Sequence, residues 1–321
     1  MPFRSAVGYL ICLAIAAVVV MLAPIPFRHI GKLMQTDLRP TLRADAKTIM
    51  FGSSGIDTIS QCDRDRRTIV GMMAEALGSP VIDGSWGNQT IEEGVSLAGL
   101  AARAPGIRHV VLTSAWLEAP ETNTMGVHDY LTFRMLNPWM DLDGPLTYFR
   151  SHQTAFTRPL RAYDRFTYKG VAYPGLNGFD DGLFARERAA RTCPENDGHE
   201  PAAIEAIYFH RQVEYPPADA NARLIISLHR HLAASGKSLL FTMLPLNLQY
   251  LQRFDPAWPG ILRERRDIFM TRLRENGVVV LDLSESLGHA TFIDRWCACT
   301  HYSEAGRLFV AQRIAEKLGI P

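Results

Sequence analysis

The apolar positions of this chain fall into short blocks of two kinds. Five are continuous or nearly so: Thr48–Phe51, Pro80–Asp83, His109–Thr113, Ser238–Leu244 and Val278–Leu283. Short apolar runs bounded by Gly, Pro or Ser predict strands buried on both faces. Between them lie stretches whose apolar residues recur every three or four positions. Ile69–Leu77 has such a face in Met72, Met73, Ala76 and Leu77, and Thr90–Ala102, Asn221–Ala234, Trp258–Asn276 and Ser303–Leu318 read as further helices. Gly236 and Gly277 stand where helices end, and Pro245 stops the fourth strand. Strands alternating with helices predict a parallel sheet covered on both faces, a three-layer α/β/α sandwich.

The alternation breaks down between about residues 118 and 220, which carry many aromatics and several prolines. This stretch reads as an insertion of helices and loops after the third strand. It is either a side-lobe that adds core or a lid or acceptor-binding surface, since loops on such folds carry specificity. A different pattern opens the chain. Ser5 to Phe27 holds no charged side chain, Arg4 precedes it, and Arg28, His29 and Lys32 follow. At about 1.5 Å per residue this run gives roughly 35 Å as a helix, enough for a bilayer core. Residues 1–32 therefore read as an uncleaved N-terminal membrane anchor and 33–321 as the folded domain. A cleaved signal peptide is the alternative, although Pro24 and Pro26 occupy the region where small residues would mark cleavage. Both alternatives deliver the domain across the membrane.

Composition narrows the partners. Thirty-four Lys+Arg against 33 Asp+Glu leave no field to hold a polyanion, which argues against nucleic acid. Of the five cysteines, Cys12 lies in the apolar run, and Cys62, Cys193, Cys297 and Cys299 lie in the exported part. That even count permits two disulfides in an oxidising compartment. Zinc is the other use for cysteines, but Cys297-x-Cys299 is too tightly spaced for a paired knuckle and has no second close pair. No metal or cofactor is implied.

The chemistry-bearing residues stand at the carboxyl ends of strands, where open parallel sheets bind ligands. Gly52-Ser53-Ser54-Gly55 follows the first strand, and His301-Tyr302-Ser303-Glu304-Ala305-Gly306 opens the last helix with Ser303 at its N-cap. A serine nucleophile needs a base that titrates near neutrality, usually imidazole. The bland alternatives are a simple Gly/Ser turn and a surface histidine before a cap.

Together, these two blocks resemble the SGNH (GDSL-like) hydrolase family. Its first strand ends in Gly-Asp-Ser or a variant, and its last loop carries Asp-x-x-His before the final helix. Phe51-Gly52-Ser53-Ser54 is similar to the Gly-Ser-Ser form of membrane-anchored branches, which include the D-alanine transfer protein and the alginate O-acetylation proteins. The resemblance covers about residues 47–117 and 221–321. It implies Ser54 as nucleophile and His301 as base. It also implies an oxyanion hole formed by the Ser54 N–H and a glycine after the second strand, where Gly87 in Asp83-Gly84-Ser85-Trp86-Gly87-Asn88 matches best.

The sequence departs from the family pattern twice. The third-strand block, Leu112-Thr113-Ser114-Ala115-Trp116, lacks the family asparagine, for which Asn88 or Ser114 would substitute. Ala298, not aspartate, stands three residues before His301. Asp294, seven before, takes the acid's place if the stretch Trp296-Cys297-Ala298-Cys299 folds out; Asp57 and Asp282 are poorer choices. A disulfide from Cys62 to Cys297 or Cys299 would tie the two catalytic segments together, leaving the other cysteine for Cys193.

The implied activity is extracytoplasmic O-acyl transfer to a cell-surface or periplasmic polysaccharide through an acyl-serine. The domain would face the periplasm or the exterior from a single-pass anchor in the cytoplasmic membrane. The implied partners are an acyl donor, a glycan acceptor and a membrane-bound O-acyltransferase that supplies acyl groups across the bilayer. The alternatives are an anchored carboxylesterase or deacetylase and a non-catalytic glycan-assembly subunit of the same fold.

Overall fold

A computed structural model describes residues 45–60, 63–85, 89–115, 134, 137–141, 219–249, 252, 256, 258–293 and 300–319, together with the backbone of 165–168 and 171–174. Residues 5–27 lie outside this set. Among the described residues no helix is long and apolar enough to cross a membrane.

In chain order the elements that build the domain are β1 (Thr48–Phe51), α1 (Ser54–Asp57), α2 (Ile69–Ala76), β2 (Val81–Asp83), α3 (Ile91–Leu100) and β3 (His109–Ser114). Then come β4 (Arg165–Tyr168), β5 (Val171–Pro174), α4 (Asp219–Ala233), β6 (Ser238–Met243), α5 (Trp258–Glu275), β7 (Val279–Asp282) and α6 (Glu304–Leu318). Five strands form one parallel sheet in the order β2-β1-β3-β6-β7. Every strand of the α/β pattern read from the sequence is in it.

The register explains the layers. Met50, Val111 and Leu240 are aligned across β1, β3 and β6, and all three belong to the core cluster that includes Met72, Met73, Val310, Ala311 and Ile314. That row faces α2 and α6. The next row, Phe51, Leu112 and Phe241, points to the other face, because successive strand side chains alternate. There Phe241 meets Phe269 of α5 edge-on at 5.6 Å, and Leu112 lies against the Cα of Gly94 in α3. The central strands β1, β3 and β6 are thus covered on both sides, as their uninterrupted hydrophobicity requires, while the edge strands β2 and β7, also expected to be buried on both faces, are part-exposed because each has a neighbour on one side only.

Local chemistry sets the helix starts. Thr90 Oγ1 accepts from Glu93 N at 3.1 Å while Glu93 Oε2 accepts from Thr90 N at 2.9 Å, a reciprocal capping box that starts α3. Ser303 occupies the N-cap position of α6, but its side chain makes no capping bond. Asp63, from a distant part of the chain, accepts the Glu304 N–H instead, at 3.2 Å.

The stretch expected to hold helices and loops contains an antiparallel strand pair, β4–β5, with Arg165 opposite Pro174 and Tyr168 opposite Val171. The missed signal is local. Arg165-Phe166-Thr167-Tyr168 and Val171-Ala172-Tyr173 are β-forming segments separated by Lys169-Gly170, the spacing of a two-residue hairpin.

Candidate functional site

The strand order reverses around β1. The chain passes from β1 outward to β2, then returns to place β3 on the other side of β1. Such a reversal opens a crevice beyond the strand ends, the usual ligand position in doubly wound sheets. Ser54 stands there, three residues after Phe51 ends β1.

The turn that presents Ser54 needs two glycines. A β-carbon on Gly52 would overlap the Thr113 hydroxyl and lie 2.7 Å from Ile56 Cγ1, while Thr113 Oγ1 itself donates to Phe51 O at 3.0 Å. Ile56 N and Thr58 N close the turn on the carbonyls of Ser53 and Ser54, both at 3.0 Å. As the first residue of α1, Ser54 has an N–H without an acceptor inside its own helix. A β-carbon on Gly55 would lie 2.9 Å from Thr300 O, so glycine lets the neighbouring segment come against the turn. Gly55→Ala is expected to push that segment away and, where Ser54 serves as a nucleophile, to lower kcat about 10- to 100-fold, since small misplacements of catalytic groups cost rate steeply. Steady-state kinetics on protein of near-native melting temperature checks this; an unchanged kcat refutes it.

His301 follows Thr300 directly. Its Nε2 lies 3.1 Å from Ser54 Oγ, and the residue is 8% exposed. The two side chains come from segments 247 residues apart. Three features hold the histidine segment. Phe292 and Tyr302 form an antiparallel bridge flanked by Ile293 N donating to His301 O and Ser303 N donating to Thr291 O, each at 2.9 Å. The rings of Phe292 and Tyr302 pack 5.5 Å apart. The Tyr302 hydroxyl donates to Pro245 O, just beyond β6, at 2.9 Å.

Complete burial pushes the Tyr302 phenol well above its ordinary value, more than its bond with Thr300 lowers it. The folded state therefore favours the neutral phenol. This contribution is fully present below about pH 10, the unfolded value, and is lost as pH rises through the folded one. Tyr302→Phe is expected to cost about 1–3 kcal/mol at neutral pH, because Pro245 O loses its donor. The native protein should lose stability relative to this variant above pH 10. Denaturant melts at pH 7 and 10.5 test both halves; a constant gap between the two proteins contradicts the second.

Beside this pair is a polar knot that the sequence did not reveal. Arg307 is fully buried. Its guanidinium donates to Asp63 Oδ2, to Arg67 O at 3.0 Å, to Asp65 O at 2.7 Å and to Tyr302 O at 3.1 Å. Glu304 Oε2 accepts from the Arg64 and Asp65 N–H groups at 3.0 and 3.1 Å. Arg307 is in phase with Val310, Ala311, Ile314 and Ala315, the buried stripe of α6, whereas Leu308 is 39% exposed. An arginine in the apolar phase of a helix was the available signal.

The structure brings Ser54 and His301 together. Gly87, Asn88, Asp294, Cys62, Cys193, Cys297 and Cys299 lie outside the described residues. In the described residues that flank 86–88 in the sequence, Gly84 N donates to Met50 O at 2.8 Å, and Gln89 Nε2 donates to Gly84 O at 2.9 Å. Ser114 ends β3 two residues past Leu112, the partner of Phe51, and its carbonyl accepts from Leu244 N at 2.8 Å. Asp282 bonds Ser284 and lies 3.2 Å from Arg266 Nε, and Asp57 is exposed.

No protein-family model matches the sequence, and no curated protein does. Among solved structures, the chain is similar to LAE5, an alpha/beta hydrolase enzyme from the metagenome of Lake Arreo, Spain, at 11% identity and a TM-score of 0.42, over 86% of this chain and 96% of that one.

Proposed function

We propose that this chain is a serine acyltransferase of the SGNH type, carrying acyl groups to an extracytoplasmic polysaccharide. The observation that carries the proposal is the 3.1 Å contact between Ser54 Oγ and His301 Nε2 at the point where the strand order reverses. The residue blocks that resemble SGNH hydrolases contain these same two side chains. In the proposed cycle Ser54 Oγ attacks the carbonyl carbon of an acyl donor, and its proton passes to His301 Nε2. The donor's alcohol leaves with that proton, and acyl-Ser54 remains. A sugar hydroxyl then attacks, gives its proton to His301 and takes the acyl group, and Ser54 regains its proton. The Ser54 N–H, with Gly87 and Asn88, would hold the oxyanion, each donor being commonly worth about 3 kcal/mol.

A fluorophosphonate probe tests the nucleophile on the full chain. Labelling confined to Ser54 and absent from Ser54→Ala supports the proposal. A folded native chain that takes no label would leave the non-catalytic glycan subunit as the better account. Water in place of the sugar gives the esterase or deacetylase, which acyl release without transfer to polysaccharide would identify.

The anchor at residues 5–27 and a membrane-bound O-acyltransferase as acyl supplier belong to the same proposal, supported by the uncharged run and the branch resemblance. A periplasm-active reporter after residue 321 should then be active, with the chain retained in the membrane fraction. A cytoplasmic carboxyl end would overturn this placement.

A further inference from the structure

We infer that Arg307, acting with Asp63, is a positioning residue that holds His301 in register with Ser54. The inference rests on the proposed roles of Ser54 and His301 and adds to them the device that keeps the pair together. Ser54 belongs to the turn after β1, and the chain continues from it through 63–67 into α2. His301 belongs to the segment that leads into α6. Two backbone segments so far apart in sequence need a link near the reacting atoms, or thermal motion of either would open the 3.1 Å contact.

Six hydrogen bonds make that link. Arg307 supplies three, to Asp63, Asp65 and Arg67. The Glu304 N–H donates to Asp63 Oδ1, and the Glu304 carboxylate accepts from Arg64 and Asp65. The arginine also holds Tyr302 O at 3.1 Å, one peptide unit from His301. Asp63 is shared. One carboxylate oxygen meets Arg307 and the other caps α6, and its side chain is 8% exposed. Each partner's charge is thus desolvated and satisfied by the other.

A buried ion pair is seldom a better stabiliser than apolar side chains of the same volume. Its directional bonds fix a single alignment, which an apolar contact would not. The planar fork of arginine reaches four acceptors at once, and the single nitrogen of lysine cannot. Of the four acceptors of Arg307, Tyr302 O is the one next to His301 in the chain, so the inferred effect on chemistry runs through that backbone.

The test compares the full native chain with Arg307→Lys, Asp63→Asn and Ser54→Ala, using p-nitrophenyl acetate below each protein's melting temperature. Positioning predicts that Arg307→Lys lowers kcat about 100-fold while KM changes less than about 2-fold. Asp63→Asn, which keeps the volume and loses the charge, should show the same split. It serves as the decisive variant if Arg307→Lys does not fold. Either variant, folded and with native kcat, overturns the inference. So does a loss of activity that only follows the unfolded fraction. Ser54→Ala separates the two levels. Full activity there refutes the nucleophile itself, whereas an inactive Ser54→Ala beside a fully active Arg307→Lys refutes only the positioning role.

Discussion

Ser54→Ala is expected to lower acyl transfer by about 10⁴- to 10⁶-fold and leave the fold intact, the loss that follows when a serine nucleophile is removed. Ser54 is half-buried, and its hydroxyl meets His301 rather than the apolar core. Ser54 is not a member of the core cluster that holds Met50, Ile56, Phe292 and Tyr302, so its replacement opens no cavity there. His301→Ala should cost nearly as much. The backbone bond from Ile293 N to His301 O does not depend on the side chain, so the segment keeps its path. The double variant should be little worse than either single one, because losses from groups of one catalytic unit do not add. Single-turnover kinetics on the three proteins measures this. Additive losses, or turnover in Ser54→Ala within tenfold of the native chain, would show that the serine and histidine do not act together.

The centre of the sheet was legible because β1, β3 and β6 are buried on both faces, whereas the edge strands β2 and β7 are part-exposed and Val279 is 46% exposed. Ile49–Phe51, Val110–Leu112 and Leu239–Phe241 carry no polar residue to blur the signal, and Gly, Pro or Ser bounds the blocks around them. The meeting of Ser54 with His301 was legible for a related reason. Each follows a strand or opens a helix at the same sheet edge, and topology alone brings such edges together. The hairpin β4–β5 was obscured because four-residue strands among many aromatics have no long period to detect. The knot around Arg307 was hidden more deeply. Charge at a helix surface is ordinary, and only the phase of Arg307 against Val310 and Ile314 marks it as buried. Its partner Asp63 is 244 residues away, with no local pattern pointing to it. The expected link between these segments was a disulfide from Cys62. The described link is ionic and begins at the very next residue, Asp63.

Asp294→Asn is expected to lower kcat by about 10⁴-fold, with KM and melting temperature nearly unchanged, as when an imidazole loses the acid that sets its tautomer. The sequence separation of Asp294 from His301 is four residues longer than in the Asp-x-x-His block it would replace. The described backbone up to Ile293 pairs with the histidine segment. Ile293, the preceding residue, donates to His301 O at 2.9 Å, and Phe292 pairs with Tyr302. The described chain thus meets the histidine's own backbone at Ile293, the residue before Asp294 in the sequence. No such tie exists for Asp282, whose carboxylate is engaged by Ser284 and Arg266. The stretch between Ile293 and Thr300 carries Cys297 and Cys299, and a bridge from either to Cys62 would fasten it beside the Arg307–Asp63 pair. Thiol counting by mass spectrometry on oxidised protein tests the bridge separately, and three free thiols at these positions would remove it. For the acid, the discriminating measurement is the rate at which a fluorophosphonate labels Ser54. Asp294→Asn should slow it along with kcat, because activation of the serine is the step that fails. Labelling and turnover at native rates in the folded variant would leave Ser54 and His301 as a dyad.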